Sequence, residues 1–286
     1  MTARQYLLGA RMQAALVHKC KSAGMHKSHV AKLHLFKKTK PGTIATWNEC
    51  NSAFVHNCKT AQRSNMRKLT ISINKGGVGK TMFVKSLSAA AADAGLNVLG
   101  LDLDSQRNLA TWGKRRNKEG IVFPIVKPIN EQDLEEELRR AEKAGCDLVI
   151  IDTPPGKNTE SLAAMEAADH ILIPFWNDQD AYEGVARSWK TAQQLGKTAS
   201  GALNFATPNS ITHEITAAGV LKGIGLEMAP VVVHRYDVHR QASAMARVAQ
   251  ELEPNSIAAD EIRKLWVWLD QRLQLCTIAQ LQRGAA

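Results

Sequence analysis

Residues 74–81 read Asn-Lys-Gly-Gly-Val-Gly-Lys-Thr and directly follow the apolar run Leu69–Ile73. A strand that leads into glycines and then Gly-Lys-Thr predicts a binding loop for nucleotide phosphates, because glycines let backbone N–H groups approach an anion. Lys80 is expected to reach the outer phosphates, and the Thr81 hydroxyl is expected to bind Mg²⁺. The usual motif begins with a glycine that four residues separate from Gly-Lys-Ser/Thr. Here asparagine replaces that glycine, and an additional lysine, Lys75, follows it.

The positive charge of the chain is concentrated near its N-terminus. The chain has 286 residues and a formal net charge of +10, and residues 1–65 contain eleven Lys/Arg and one acid, Glu49. Of the 37 Lys/Arg and 27 Asp/Glu in the whole chain, 26 of each sign therefore remain for residues 66–286. Any affinity of this larger part for nucleic acid must come from a local patch of charge.

The N-terminal 65 residues show no helical or strand period that persists, and three interpretations remain open. A basic arm that contacts nucleic acid is one. A zinc site built from Cys20, Cys50, Cys58 and nearby histidines is another, but the close Cys-x₂-Cys spacing is missing. The favoured prediction is a disordered extension, or an artefact of a start codon upstream of Met66. The predicted organisation is thus an extension over residues 1–65 and one domain over residues 66–286.

Composition argues against several classes of protein. The five cysteines show no paired spacing, which argues against a disulfide framework and fits a reducing cytosol. No apolar run approaches the roughly 18 residues of a membrane span, and no secretory signal is evident. A bacterial cytoplasmic location, associated with the nucleoid, is expected.

From Met66 onward, predicted strands alternate with predicted helices. The strands are predicted at Leu69–Ile73, Asn97–Leu101, Ile121–Val126, Leu148–Ile151, Ile171–Phe175, Ala202–Ala206 and Pro230–Val233. The helices are predicted from the glycine loop to Gly95, at Glu131–Ala144, and around residues 180–194, 210–222, 237–252 and 256–275. This alternation predicts an α/β protein with the three-layer P-loop NTPase fold, a mostly parallel central sheet covered by helices on both faces. Ligands of such folds bind at the carboxyl ends of the strands.

Three aspartates follow predicted strands at that edge of the sheet. Mg²⁺ on a nucleotide prefers hard oxygen ligands and often keeps several waters, so Thr81 is expected to bind it directly and Asp152 to contact it through water. Asp104 follows a different strand and is the candidate to orient an attacking water. Positioning and electrostatics dominate phosphoryl transfer, so a carboxylate, lysines and a metal suffice. A lone aspartate is more often a helix cap or loop residue, and the intact Gly-Lys-Thr loop favours the functional interpretation.

Three motifs in order carry a resemblance to a known family. Residues 75–81 (Lys-Gly-Gly-Val-Gly-Lys-Thr), 101–106 (Leu-Asp-Leu-Asp-Ser-Gln) and 150–156 (Ile-Ile-Asp-Thr-Pro-Pro-Gly) resemble the deviant Walker motifs of the ParA/MinD ATPases. The resemblance is strongest to the short ParA-type plasmid partition proteins and extends over residues 66–286. Residues 168–174 and 254–262 also resemble that family.

The resemblance implies an ATP hydrolase with weak intrinsic, Mg²⁺-dependent activity. Two subunits would enclose two ATP molecules, with Lys75 of each subunit reaching the phosphates bound to the other. The ATP-bound homodimer would bind DNA without sequence preference, and a ParB-like or other adaptor protein would stimulate hydrolysis. The implied catalytic residues are Lys75, Lys80 and Asp104. The implied nucleotide contacts are Lys75, Gly76, Gly77, Val78, Gly79, Lys80, Thr81, Met82 and, at the adenine, Asn204. The implied metal site comprises Thr81, Asp152 and Asp102, which lies in the second shell.

The chain departs from the family pattern at a few residues near the nucleotide, and the resemblance also implies a set of DNA contacts. The family usually has Asp-Pro-Gln-Gly where this chain has Asp104-Ser105-Gln106-Arg107, which changes the stiffness of the loop and adds a charge near the nucleotide. Met82 stands where a second threonine is common. The expected DNA contacts are Arg235, Arg240, Arg247 and Lys264. The alternative is that these residues belong to an ordinary solvated surface.

Other functions within or near the family stay open. A role in conjugative DNA transfer would use the same ATPase. A MinD-like positioning ATPase at a membrane surface would need an amphipathic C-terminal helix, for which residues 262–282 are the candidate, although no membrane partner is expected. An iron–sulfur carrier would need cysteines at a dimer interface, and neither Cys146 nor Cys276 is placed for that function.

Overall fold

The computed structural model describes residues 66–156, 158–208 and 211–275. Within these residues, seven parallel strands form one sheet in the order β3-β2-β4-β1-β5-β6-β7. The expectations for residues 1–65, including the zinc site and the domain boundary, lie outside the described residues, as does Cys276. The parallel sheet of the predicted fold class is confirmed.

The strands are short and mostly fully buried. They are β1 (Arg67–Ile71), β2 (Val98–Asp102), β3 (Ile125–Pro128), β4 (Leu148–Asp152), β5 (His170–Phe175), β6 (Ala199–Leu203) and β7 (Glu227–Met228). Residue Ile71 of β1 is aligned with Asp152 of β4, and Asp152 is aligned with Asp102 of β2. The three adjacent central strands therefore end at one level, and their last residues meet at the carboxyl edge.

The helices of the described residues connect successive strands, except the last three, which follow β7. They are α1 (Lys80–Asp93), α2 (Asn108–Lys118), α3 (Leu134–Lys143), α4 (Thr159–Ala167), α5 (Gln179–Gln194), α6 (Ile211–Gly223), α7 (Asp237–Ala244), α8 (Ala249–Leu252) and α9 (Ile257–Leu273). Side chains of Asn158, Asp178 and Ser256 accept hydrogen bonds from the first turns of α4, α5 and α9. Such caps satisfy backbone N–H groups that the helix itself leaves without partners.

The core lies on both faces of the sheet. Along β1, Leu69 and Ile71 belong to a cluster with α1 and α9, whereas the Thr70 hydroxyl between them donates to the Ala164 carbonyl of α4 (2.7 Å). Alternate strand residues point to opposite faces, so helices cover both. The result is the expected three-layer arrangement.

Three predicted elements differ from the structure. Residues 230–233 do not form a strand; the last strand is the two-residue β7, and His234 makes only an isolated bridge with Ala206. Residues 237–252 are not one helix but the separate helices α7 and α8, because Ala246 has a left-handed conformation with φ 54°. We call residues 237–252 the α7–α8 segment. The third strand begins at Ile125, after Pro124, rather than at residue 121.

Smaller differences concern element ends and one ion pair. The predicted strand Ala202–Ala206 is observed at Ala199–Leu203. The expected helix at residues 131–144 begins with one turn of 3₁₀ helix. The helical spacing predicts i,i+4 pairs of Glu135 with Arg139 and of Glu136 with Arg140. The second pair is present (2.9 Å), whereas Arg139 pairs with Glu136. No helix among the described residues is long and apolar enough to cross a membrane.

Candidate functional site

The phosphate loop (residues 74–81, the P-loop) lies between β1 and α1 and has a strongly constrained backbone. Gly77 has φ 76° and Gly79 has φ 93°, conformations that side-chain-bearing residues rarely adopt. At Gly79 there is also no room, since an added Cβ would lie 2.2 Å from the Asn204 side-chain nitrogen and 3.2 Å from the Phe205 ring. A side chain at residue 79 would therefore displace the loop from the residues that follow β6.

Lys80 is the first residue of α1 and points back over the loop. Its ammonium donates a hydrogen bond to the Lys75 carbonyl (3.2 Å), and the residue is only 7% exposed. Burial lowers the pKa of Lys80, while the nearby carboxylates of Asp152 and Asp104 oppose that effect. A buried ammonium with so few partners is suited to bind the anionic phosphates of a nucleotide.

Lys75 is held within its own chain by acidic residues at the start of α5. Its ammonium lies 2.7 Å from Asp178 and 3.6 Å from Asp180, and 5.5 Å from the centre of the Trp176 ring. Asp178 also caps α5 by accepting from the Ala181 N–H (2.7 Å). The lysine that departs from the usual motif thus lies at the loop but carries its own counter-charge.

Asp152, at the end of β4, is the most unusual carboxyl group of the site. It is 1% exposed, and neither of its oxygens has a hydrogen-bond partner of normal geometry among the described residues. Burial raises its pKa to about 7, although Thr81 and Lys80 are close enough to counteract part of the rise. Two buried, unpartnered oxygens beside the Thr81 hydroxyl are a donor set that fits Mg²⁺, a hard cation.

The carboxylates of Asp102 and Asp104 accept hydrogen bonds from nearby backbone N–H groups. The two oxygens of Asp102 accept from the Ala110 N–H of α2 (2.8 Å) and from the Asp104 N–H (3.1 Å). Asp104 is half-buried and accepts from the Gln106 N–H (2.9 Å). Asp102 therefore fixes the loop that presents Asp104, and its place in the second shell of a metal stays a prediction.

The Arg107 guanidinium is directed away from a nucleotide-facing position. It donates to the carbonyls of Asp102 and Ile129 (2.8 Å to the latter) and to the Asn130 side chain (2.9 Å). The backbone of Arg107 is left-handed, with φ 54°, at the position where the family has glycine. The expected charge near the nucleotide is thus used to join the end of β2 to the loop after β3.

The predicted adenine contact Asn204 is fully buried, and its amide nitrogen donates to the Val78 carbonyl (2.8 Å). Its side-chain oxygen has no partner among the described residues, so an adenine contact stays a prediction. The next residue, Phe205, and the predicted nucleotide contact Met82 instead line a cavity of about 360 Å³ that opens beside the P-loop.

The four predicted DNA contacts separate into two groups. Arg240 and Arg247 line that same cavity, whereas Arg235 and Lys264 do not. Arg240 pairs with Asp237 (3.5 Å), and Lys264 pairs with Asp260 (2.7 Å) on α9. The structure brings Arg240 and Arg247 together and leaves their contact with DNA a prediction.

Two residues of the site, Asp178 and Phe205, were not predicted from the sequence. Asp178 follows β5 and was recognisable only as a possible helix cap; its ion pair with Lys75 joins residues 103 positions apart in the chain. Phe205 was overlooked beside Asn204, since an aromatic residue after a strand is usually part of the core. A polar residue after each strand at the carboxyl edge is the general signal that could have found Asp178.

In comparison with known proteins, one family model matches the part of the chain that contains both the sheet and the P-loop. Residues 69–265 match the model of the CobQ/CobB/MinD/ParA nucleotide binding domain. The chain belongs to this family. The MinD/ParA domain thus includes the P-loop, all three aspartates and most of α9.

Relatives of this MinD/ParA domain include partition and positioning proteins. The maintenance of carboxysome distribution protein A of Gloeobacter kilaueensis is 30% identical over 182 residues, which cover 62% of this chain and 81% of that protein. The chromosome-partitioning ATPase Soj of Thermus thermophilus is 30% identical over 162 residues, which cover 46% of this chain and 64% of that protein. The chain thus spans less than two thirds of Soj.

A solved structure confirms the fold of the MinD/ParA domain. The septum site-determining protein MinD from Pyrococcus horikoshii, complexed with Mg-ADP, superposes with a TM-score of 0.61 at 19% identity. The superposition covers 72% of this chain and 97% of that protein. The likeness extends across the sheet and its helices, which establishes the P-loop fold.

The described residues of this MinD/ParA domain bear on two alternative functions, a membrane-surface ATPase and an iron–sulfur carrier. The apolar face of α9 packs in the core, where Leu265, Trp266 and Leu269 are at most 4% exposed, so that part of the suggested amphipathic segment is already covered. Residues 276–286 lie outside the described residues. Burial raises the pKa of the Cys146 thiol to about 11, which makes it a poor metal ligand.

Proposed function

We propose that this protein is a Mg²⁺-dependent ATPase that dimerises around ATP, binds DNA without sequence preference and segregates DNA, with a partner protein stimulating hydrolysis. The observation that supports it best is buried Lys80 close to the unpartnered oxygens of buried Asp152, with Lys75 on the same loop. Two cations on one loop suit a polyphosphate, and the orphaned carboxylate suits its metal.

The chemistry assigned to each residue follows from its place. Backbone N–H groups of the P-loop and the start of α1 bind the phosphates, and Lys80 neutralises the outer ones. Thr81 and Asp152 hold Mg²⁺, which supplies charge neutralisation on the phosphates. Asp104 accepts a hydrogen bond from the attacking water and orients it. Positioning of this kind accounts for most of the catalysis in phosphoryl transfer.

Lys75 gives the nucleotide control over dimerisation. In one chain its charge is matched by Asp178 and Asp180. An ATP molecule bound to a second chain offers a denser negative charge, so Lys75 exchanges the acidic partners for the phosphates of the other subunit. A half-exposed ion pair contributes about 1 kcal/mol or less, so this exchange has a small cost. Hydrolysis removes the γ-phosphate and weakens the dimer.

DNA binding and partner binding complete the proposed cycle. Arg240 and Arg247 share one cavity wall and provide a local basic patch in a domain whose total charge is zero. Contacts of lysine and arginine with backbone phosphates bind any sequence and depend steeply on salt. Segregation requires a cargo-bound adaptor, and the name of the chromosome-partitioning ATPase Soj supports DNA as the cargo.

The proposal is tested by DNA binding with ATP, with ADP and without nucleotide. The measurement uses the full chain and a chain that starts at Met66, with a double-stranded fragment of arbitrary sequence. Binding that needs ATP and persists without residues 1–65 supports the cycle. Binding that ignores the nucleotide and disappears with residues 1–65 overturns it and assigns the affinity to a basic arm.

A further inference from the structure

A cavity of about 360 Å³ lies between α1, α2 and the α7–α8 segment. Met82 and Phe205 form its end nearest the P-loop, and Lys85, Arg115 and Arg247 line it farther away. None of the lining residues that the structure describes is acidic. We call this cavity the cationic pocket. No residue of the P-loop lines it, so its cations require a separate explanation.

The walls of the cationic pocket are joined by direct hydrogen bonds. The Arg115 guanidinium donates to the carbonyls of Ser243 (3.0 Å) and Ala244 (3.2 Å), and the Lys85 ammonium donates to the Ser243 hydroxyl (3.2 Å). Gln250 of α8 donates to the Ser86 carbonyl of α1 (2.9 Å). Lys85 and Arg115 are therefore held in place before any ligand arrives, which lowers the entropy cost of binding.

The cations of the pocket have few counter-charges. Burial lowers the pKa of Lys85, and Arg115 lowers it further, whereas Asp152 and Asp102 partly oppose this. The Arg247 guanidinium has no hydrogen-bond or ion-pair partner among the described residues. In the part of the chain that the structure describes, Arg240 at the rim pairs only with the exposed Asp237, at 3.5 Å. An anion would complete this arrangement, because it would supply a counter-charge to partly buried Lys85 and to the exposed guanidinium groups of Arg115 and Arg247.

We propose that the cationic pocket binds a phosphodiester group of the DNA backbone through Lys85, Arg115 and Arg247. This inference rests on the proposed DNA-binding function and adds α1 and α2 to the DNA-contacting surface. Arg240 is exposed at the rim, so one phosphate can enter the pocket while a neighbouring phosphate of the same strand contacts the rim. A chain of phosphates uses both the pocket and the rim, and an isolated anion uses only one of them.

The pocket also connects DNA to the nucleotide. Lys85 lies one helical turn after Thr81 on α1, so the same rigid helix carries the phosphate-binding N-terminus and a cation of the pocket. Any coupling between the two ligands is reciprocal, so DNA should raise the affinity for ATP by the factor by which ATP raises the affinity for DNA.

The test is a salt titration of DNA binding by the full chain with ATP and Mg²⁺. Lys85→Gln and Arg247→Gln should each weaken binding about tenfold and reduce the slope of log K against log salt by about 1. The matched control is Lys114→Gln, which removes an exposed lysine beside Arg115 that does not line the pocket. It should change the affinity less than about twofold. Arg247 has no side-chain partner to lose, so its substitution should leave the unfolding midpoint unchanged.

The possible outcomes distinguish a failure of the proposed pocket from a failure of the proposed ATPase cycle. ATP-dependent DNA binding that is equally strong in the pocket variants and the control overturns the pocket and leaves the ATPase cycle standing. A wild-type chain that fails to bind DNA with ATP overturns both. Pocket variants that lose affinity for ATP instead of DNA, measured by direct nucleotide binding, assign the cations to the nucleotide and overturn the DNA site.

Discussion

Asp152 shows how a single residue can be unfavourable for the fold and still fit the function. A carboxyl group whose pKa is raised from 3.8 to about 7 is destabilised in its charged form by the folded protein. The penalty is absent below the unfolded pKa, grows between about pH 4 and pH 7, and is complete above that range. At roughly 1.4 kcal/mol per pKa unit it reaches about 4 kcal/mol.

Asp152→Asn should therefore stabilise the nucleotide-free protein at pH 8 by about 3 kcal/mol and have little effect near pH 4. The measurement is urea unfolding of the two proteins across that pH range. The same substitution should weaken Mg²⁺-dependent nucleotide binding, since it removes a charged oxygen from the proposed metal site. A stability difference that is the same at both pH values would show that the carboxyl group is not strained by burial.

Arg107 combines a strained backbone with favourable side-chain contacts. Its left-handed conformation costs about 1–2 kcal/mol for a residue other than glycine, while its guanidinium holds two carbonyls and the Asn130 side chain. Arg107→Ala should lose these hydrogen bonds and keep the strain, for a loss of about 2–3 kcal/mol. Arg107→Gly loses the same bonds and relieves the strain, so it should be about 1 kcal/mol more stable than the alanine variant. Equal unfolding free energies for the two variants would contradict the strain.

At the scale of elements, the α7–α8 segment depends on a buried ion pair to α2. Arg116 is 1% exposed, and its two terminal nitrogens lie 2.8 and 2.7 Å from the carboxylate of Glu251. Glu251→Gln should cost about 3 kcal/mol, because it leaves a buried guanidinium without its counter-charge. The matched control is Glu253→Gln, an exposed position, which should change stability by less than about 0.5 kcal/mol. Chemical denaturation of both variants checks the difference, and similar losses would contradict the importance of the pair.

The sequence predicts an element well when consecutive residues determine it, and poorly when contacts between distant residues do. The strands β4 and β5 are mostly apolar runs, as is typical of buried parallel strands, and β1 contains apolar Leu69 and Ile71 just before the glycine loop; all three were predicted within two residues at each end. The two-residue β7 gives no such run, and the break at Ala246 gives no signal, because alanine usually favours a helix. The phosphate loop was predicted because its chemistry resides in consecutive residues. The contact of Lys75 with Asp178 depends on how β1 and β5 pair in the sheet, so the sequence pattern could not reveal it.

At the scale of the whole molecule, the sheet order makes one site from distant segments. Strands β2, β4 and β1 are adjacent in space, and the residues that end them include Asp102 and Asp152, which are 50 positions apart. The P-loop follows the third of these strands. An arrangement in which lysines and carboxylates face the same edge suits a charged ligand that is shared between two chains, and it predicts that the nucleotide determines the oligomeric state.

The most direct test of this account compares dimerisation of the wild-type protein and Lys75→Ala with ATP and with ADP. Sedimentation analysis should show a dimer for the wild type only with ATP. Lys75→Ala should bind ATP with similar affinity, because Lys80 and the loop backbone remain, but stay monomeric and lose at least about tenfold in hydrolysis rate. Lys114→Ala, which removes an exposed lysine far along the chain from the loop, should behave like the wild type. If Lys75→Ala dimerises with ATP and hydrolyses it at the wild-type rate, Lys75 does not couple nucleotide binding to dimerisation.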